Sequence, residues 1–201
     1  VIGSLPRVDR LMSEDIKQHT IDKIFGMYQE LKQAKDCDKK IIVYAPTFRK
    51  HKDISVEIED LINKISSEDR IIVIKKHPLM KLCIEDRPGV IIDDTFSTEE
   101  MLYIADCVIA DYSAIVFEAA LLNKLMCFYA FDLDEYMASR SFYLDYEKDM
   151  PGAICKDVDE VETVLKDFHF DLEAVRNFAH NYVEKTEGVT KELANLVLMD
   201  N

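Results

Sequence analysis

The chain has 201 residues, of which 48% are hydrophobic, and a net charge of −14. That length supplies one sizeable core, and so acidic a chain is not built for charge-driven binding to nucleic acid. No apolar run reaches the roughly 20 residues of a membrane span, no secretory signal pattern is present, and no low-complexity tract appears.

The opening residues, Val1 to Arg7, lack an initiator Met and read as the interior of a longer protein. Residues 13–35 are predicted helical, with Ser13 as a cap and Ile16, Ile21, Ile24, Met27, Tyr28 and Leu31 at helical spacing. Ile41 to Ala45 is the first predicted strand and runs into Pro46, Thr47, Phe48 and Arg49. A helix follows from Ser55, with Ile58, Leu61, Ile62 and Ile65 on one face. Arg70 to Lys75 is the second strand, ending in Lys76, His77 and Pro78, and Val90 to Ile92 is a short third. Ser97 and Glu100 in the run STEE form a capping box that opens a helix ending near Ala105. Asp106 to Ala110 is the fourth strand, Ser113 to Asn123 its helix, and Leu125 to Tyr129 the fifth strand. Residues 130–152, rich in acids and aromatics, are expected to be irregular. A last short strand, Ala153 to Cys155, precedes helices near Val158 to Asp167, Asp171 to Tyr182 and Thr190 to Met199. Strands alternating with helices predict an α/β fold with a doubly wound parallel sheet. The five cysteines, Cys37, Cys83, Cys107, Cys127 and Cys155, contain no CxxC pair. Cys107 and Cys127 are expected to be small buried residues of the strands, with reduced thiols and a cytosolic setting.

Three strand ends carry polar groups: Thr47 and Arg49, then Lys76 and His77, then Ser113. In a parallel sheet all three open on the same edge, where ligands of such sheets bind. Arg supplies a planar fork, His a directional donor, and a helix start its free amides, a set suited to a diphosphate. Singly, each has an ordinary reading: Arg49 a solvated loop residue, Lys76 a surface Lys, His77 a loop His, Ser113 a helix cap. Their joint occurrence at successive strand ends favours a shared anion. Glu118, in the apolar helix after Ser113, reads either as an acceptor for ribose hydroxyls or as a half-exposed helix residue. There is no GxGxxG, no P-loop, no GxSxG elbow and no zinc spacing, which speaks against NAD redox, P-loop, hydrolase and zinc chemistry.

YAPTFR (Tyr44–Arg49), KKHP (Lys75–Pro78), the stretch Ala110–Tyr136 that begins ADYSAIVFEAA, and RSFYLDYEKDMPG (Arg140–Gly152) occur in that order. In these motifs the chain resembles the CDP-glycerol:poly(glycerophosphate) glycerophosphotransferases, the wall teichoic acid polymerases and primases. GSLPRVD (Gly3–Asp9) is similar to the family's passage between its two lobes. The resemblance implies the Rossmann-like C-terminal lobe of a glycosyltransferase B fold. Residues 1–35 would be an inter-lobe linker and first helix, 36–185 the donor-binding α/β domain, and 186–201 a C-terminal helix. It implies a CDP-polyol donor, CDP-glycerol first, whose β-phosphate is attacked by a hydroxyl of a teichoic acid or lipid-linked acceptor. It makes His77 the catalytic residue that holds donor phosphate and supports the departing CMP. Ser113, Arg49, Lys76, Thr47 and Arg140 are the implied phosphate ligands and Glu118 the ribose ligand. No metal, and no cofactor beyond the CDP-glycerol substrate, is expected. Ala114 stands where members carry a second Ser, and Ser141 where Gly is common. The family's base, a His in an N-terminal HG motif, has no counterpart here. The missing N-terminal lobe is therefore an expected partner, and this lobe alone is expected to bind donor without turnover. Peripheral work at the cytoplasmic face of the membrane is a further implication. The KxHP arrangement is also similar to that of bacterial sialyltransferases, which use a cytidine nucleotide. Rival readings are therefore a nucleotide-sugar or sialyltransferase lobe, a CDP-ribitol user, a non-catalytic nucleotide-binding module, and a receiver-type signalling domain. The last needs an acidic cluster after its first strand, which YAPTFR lacks.

Overall fold

Runs of Ile and Val build the sheet, because branched side chains suit a pleated surface covered on both faces. The computed structural model describes residues 6–49, 52–80, 82, 84–139, 144–183 and 187–199. Its strands are β1 (Lys40–Tyr44), β2 (Arg70–Lys75), β3 (Val90–Asp93), β4 (Cys107–Ala110), β5 (Leu125–Tyr129) and β6 (Ala153–Cys155). They form one sheet in the order β3-β2-β1-β4-β5-β6, and each neighbouring pair is parallel. This is the doubly wound order that reverses direction between β1 and β4.

The two-residue period of the strands sorts their side chains into two cores. Ile41, Val43, Val73, Val108 and Met126 point to one face, and Ile42, Tyr44, Ile72, Ile109 and Cys127 to the other. The first face is covered by α2 (Glu14–Met27), α3 (Gln29–Asp36), α5 (Thr98–Leu102), α6 (Ile115–Leu121) and α10 (Leu172–Tyr182). The second is covered by α4 (Ser55–Ile65) and α9 (Val158–Asp167). Burying each large aliphatic side chain fully contributes about 1.5–3 kcal/mol, and strands and covering helices both supply such side chains. Cys107, Cys127 and Cys155 are buried among them, as expected for the first two, and Cys37 is exposed.

Four local features differ from or add to the expectations. The helix predicted over 13–35 is two helices, broken at Tyr28, whose backbone leaves the helical region at φ −112 and ψ 81. Tertiary contacts account for the break: the Tyr28 hydroxyl donates to Asp93 Oδ1 at 2.7 Å and its ring packs against Phe96. Ser13 occupies the N-cap position of α2 but its side chain makes no cap bond. The segment taken as a linker contains a further helix, α1 (Arg7–Leu11), whose Asp9 accepts the Val189 and Thr190 amides at 3.1 and 2.7 Å. Those amides start α11 (Val189–Met199), so the first and last helices meet. The segment expected to be irregular holds α7 (Leu133–Ser139) and α8 (Tyr146–Asp149). The capping box at Ser97 and Glu100 forms as predicted.

Candidate functional site

The carboxyl edge of the sheet opens into a cleft of about 660 Å³, walled by the loops after β1, β2 and β4, the start of α5, and Tyr136 of α7. Thr47, Lys76, His77 and Ser113, all singled out from sequence, line it. Their convergence follows from the strand order: β1 lies between β2 and β4, so the three loops meet at one crevice.

His77 is held on three sides. Its imidazole stacks on Phe48, with centroids 5.1 Å apart and planes at 14°. Its Nδ1 accepts the Leu79 amide at 3.2 Å. Its carbonyl accepts the Met80 amide at 2.8 Å, closing a turn over Pro78. With Nδ1 acting as acceptor, the neutral ring carries its proton on Nε2, a ready donor to an anion. The two lysines before it divide by strand alternation. Lys75 is buried, paired with Asp93 and donating to the Phe96 carbonyl, so it ties the β2 and β3 ends together. Lys76 is half-buried and faces the cleft. Ser113 accepts the Ile115 amide at 3.3 Å, which leaves its own hydroxyl proton for another acceptor. The helix it precedes is short: α6 starts at Ile115, two residues later than expected, with Ala114 at the strict cap position.

Two of the predicted residues, Arg49 and Glu118, do not line this cleft. Arg49, an expected phosphate ligand, pairs its guanidinium with Asp111 at 3.0 Å and Asp132 at 3.0 Å. Glu118 lines a neighbouring cavity of about 250 Å³ together with Arg7, Arg10, Glu99, Glu100 and Ser97, where it pairs with Arg7. Ser97 lines both cavities, so the two adjoin. Burial raises the pKa of the Glu118 carboxyl, against the pull of Arg7. Arg140 lies outside the described residues. Thr47 reaches the cleft, but its hydroxyl and amide both donate to Asp111, at 2.5 and 2.9 Å.

Sequence reasoning gave no role to Asp111, Tyr112, Asp132 or Tyr136. Asp132 accepts both Arg49 and the Tyr112 hydroxyl, the latter at 2.8 Å, and Tyr112 stacks on Tyr136 with centroids 3.8 Å apart. Burial pushes the pKa of Asp111 up, while Arg49 and Thr47 pull it back. Burial also opposes ionisation of Asp132, but hydrogen bonds from Arg49 and Tyr112 outweigh it and hold its pKa below the ordinary value. The available signal was Asp111 itself, an acid placed directly after an apolar strand and beside a strand end that carries Arg49.

A doubly wound parallel sheet with Lys, His and hydroxyl groups converging at its switch point defines a Rossmann-like lobe. The chain belongs to the CDP-Glycerol:Poly(glycerophosphate) glycerophosphotransferase family, whose model matches residues 1–198. It is 31% identical to the teichoic acid poly(ribitol-phosphate) polymerase of Bacillus spizizenii (strain ATCC 23059 / NRRL B-14472 / W23), over 96% of this chain and 32% of that protein. It is 30% identical to the teichoic acid glycerol-phosphate transferase of Staphylococcus aureus (strain NCTC 8325 / PS 47), over 89% of this chain and 46% of that protein. The chain thus spans about a third to a half of these curated relatives. Among solved structures, the wall teichoic acid polymerase TagF superposes with a TM-score of 0.72 at 23% identity, over 98% of this chain and 51% of that one. The fold is accordingly that of a Rossmann-like lobe of the glycosyltransferase B type.

Proposed function

We propose that the cleft binds the diphosphate of a CDP-activated polyol phosphate. This chain is then the donor-binding lobe of an enzyme that passes polyol phosphate to a teichoic acid or lipid-linked acceptor. The observation that carries the reading is His77, fixed by Phe48 and the Leu79 amide at the switch-point cleft, in a chain of this family. An acceptor hydroxyl oxygen forms a bond to the donor β-phosphorus, and the bond from that phosphorus to the bridging oxygen breaks, releasing CMP. Charge grows on the bridging oxygen and is met by the His77 Nε2 proton, by Lys76 and by the Ser113 hydroxyl. Catalysis of this kind is chiefly positioning and electrostatic stabilisation. The base that takes the acceptor proton is assigned to no residue of this chain. No resident metal or cofactor enters the scheme. We place the reaction at the inner face of the membrane, on a lipid-linked acceptor, by analogy with the family; among the described residues no helix is long and apolar enough to cross a bilayer.

A second reading, CDP-ribitol as donor, is favoured by the ribitol-phosphate polymerase and primase at 31% identity. Calorimetric titration of the chain with CDP-glycerol, CDP-ribitol, CDP, CMP, UDP and ADP tests both. CDP compounds are expected to bind at least tenfold tighter than UDP or ADP, and the tighter of the two polyol conjugates names the donor. Equal binding of UDP and ADP, or none of CDP, sinks the proposal.

A further inference from the structure

The Arg49 guanidinium is almost fully occupied. Nε and Nη2 fork onto the two oxygens of Asp132 at 3.0 and 3.1 Å. Nη1 reaches the Thr47 carbonyl at 2.7 Å and Asp111 at 3.0 Å. The rings of Tyr112 and Tyr136 lie 4.8 and 5.2 Å from its central carbon. Its side chain is 7% exposed, and those of Asp111 and Asp132 are 0% and 5% exposed. Arg49 stands between two buried carboxylates, and with Lys52 4.0 Å from Asp132 the cluster already matches its charges internally. A phosphate approaching it would bring a third anion, and at short range in a poorly solvated pocket that repulsion is large.

The same contacts bear on His77. Phe48 sits between Thr47 and Arg49, and both neighbours are anchored: Thr47 by its amide and hydroxyl on Asp111, Arg49 by its fork on Asp132. The ring so placed is the one on which His77 stacks. The Tyr112 hydroxyl donates to the same Asp132, and Tyr112 and Tyr136 form a wall of the cleft. Three strand ends, after β1, β4 and β5, are thus joined through one guanidinium.

We infer that Arg49 is a positioning residue: it orients His77 through Phe48 and the tyrosine wall through Asp132, and makes no contact with the donor phosphates. The inference rests on reading the cleft as the donor site. Breaking a buried ion pair by removing one partner leaves an uncompensated charge, so Arg49→Lys, which keeps the charge but not the fork, is the informative variant. Phe48→Leu is the second; it removes the ring and leaves the ion cluster whole.

The experiment follows the His77 imidazole by nitrogen-detected NMR across a pH titration, assigned by the signals lost in His77→Ala, and measures CDP affinity by calorimetry. Both variants are expected to change the His77 imidazole nitrogen signals from those of wild type, because each disturbs the ring on which His77 stacks. CDP affinity in Arg49→Lys should fall less than about fivefold. Loss of a direct phosphate contact would cost tenfold or more. A tenfold or larger affinity loss in Arg49→Lys with unchanged His77 signals overturns the inference, as do unchanged His77 signals in Phe48→Leu. If Arg49→Lys fails to give a cooperative melt, Phe48→Leu decides. A wild-type chain that binds no CDP removes the donor-site reading, and the coupling of Arg49 to His77 is then judged on the nitrogen signals alone.

Discussion

At His77 the backbone decides the chemistry. Pro78 keeps His77 out of the helical region, the Leu79 amide claims Nδ1, and Nε2 is left to donate. A charge-assisted bond from such a group to phosphate contributes on the order of 1.5–3 kcal/mol. His77→Ala is therefore expected to weaken CDP binding by roughly ten- to a hundredfold in calorimetry, and unchanged affinity would remove His77 from the site. Glu118 presents the opposite problem, a carboxylate already partnered. Its ion pair with Arg7 has to give way if ribose is to occupy the adjoining cavity. Arg7 is about half exposed but Glu118 is buried, so the ribose hydroxyls must replace the bond that Arg7 gives up. If Glu118 holds ribose, wild type should prefer CDP over its 2′-deoxy analogue and Glu118→Gln should lose most of that preference. The same preference in both proteins would leave Glu118 as the partner of Arg7 and nothing more.

Secondary structure here is tuned where elements approach one another. Gly152 precedes β6, and a Cβ built on it would lie 2.2 Å from the Met126 carbonyl oxygen of β5. That obstacle is backbone in the middle of a strand, which cannot swing aside. Gly152→Ala is expected to destabilise the chain by about 1–3 kcal/mol, read as a lower urea midpoint with the slope unchanged. A midpoint equal to wild type would mean that β6 shifts freely against β5. At the other edge, the break at Tyr28 serves a similar fit: the hydroxyl that leaves the helix finds Asp93, which also anchors Lys75 beneath the cleft. Helix propensity over residues 13–35 favours continuity, and one long-range hydrogen bond with a ring contact overrides it.

Taken whole, the protein joins two cores through a sheet whose carboxyl edge carries a buried ionic cluster, and Asp132 in that cluster makes the fold sensitive to acid. Asp132 is held below the ordinary aspartate value of 3.8, because bonds from Arg49 and Tyr112 outweigh burial. Between its folded and unfolded values the unfolded chain binds more protons, so stability rises with pH there. The contribution is complete above about pH 4 and is lost as pH falls through the folded value. Asp132→Asn should therefore be less stable than wild type at neutral pH, with the gap in melting temperature closing as pH drops below about 4. A gap constant between pH 7 and pH 3 would show that the Asp132 charge adds no stability.

Much of this was legible along the chain. Arg70–Lys75, Leu125–Tyr129, Ala153–Cys155 and Val158–Asp167 match their sequence-based bounds, because apolar runs and caps are local signals that each element carries within itself. Parallel alternation then requires Thr47, Lys76, His77 and Ser113 to open on one edge, and they do. The ion-pair partners of Arg49 and Glu118 could not be read this way. Arg49 pairs with Asp132, 83 residues away, and Glu118 with Arg7 of α1, which precedes the whole sheet in sequence. Whether a charged side chain faces solvent, a ligand or a buried counter-charge depends on partners that only the folded chain brings within about 3 Å, and no periodicity in the sequence records them.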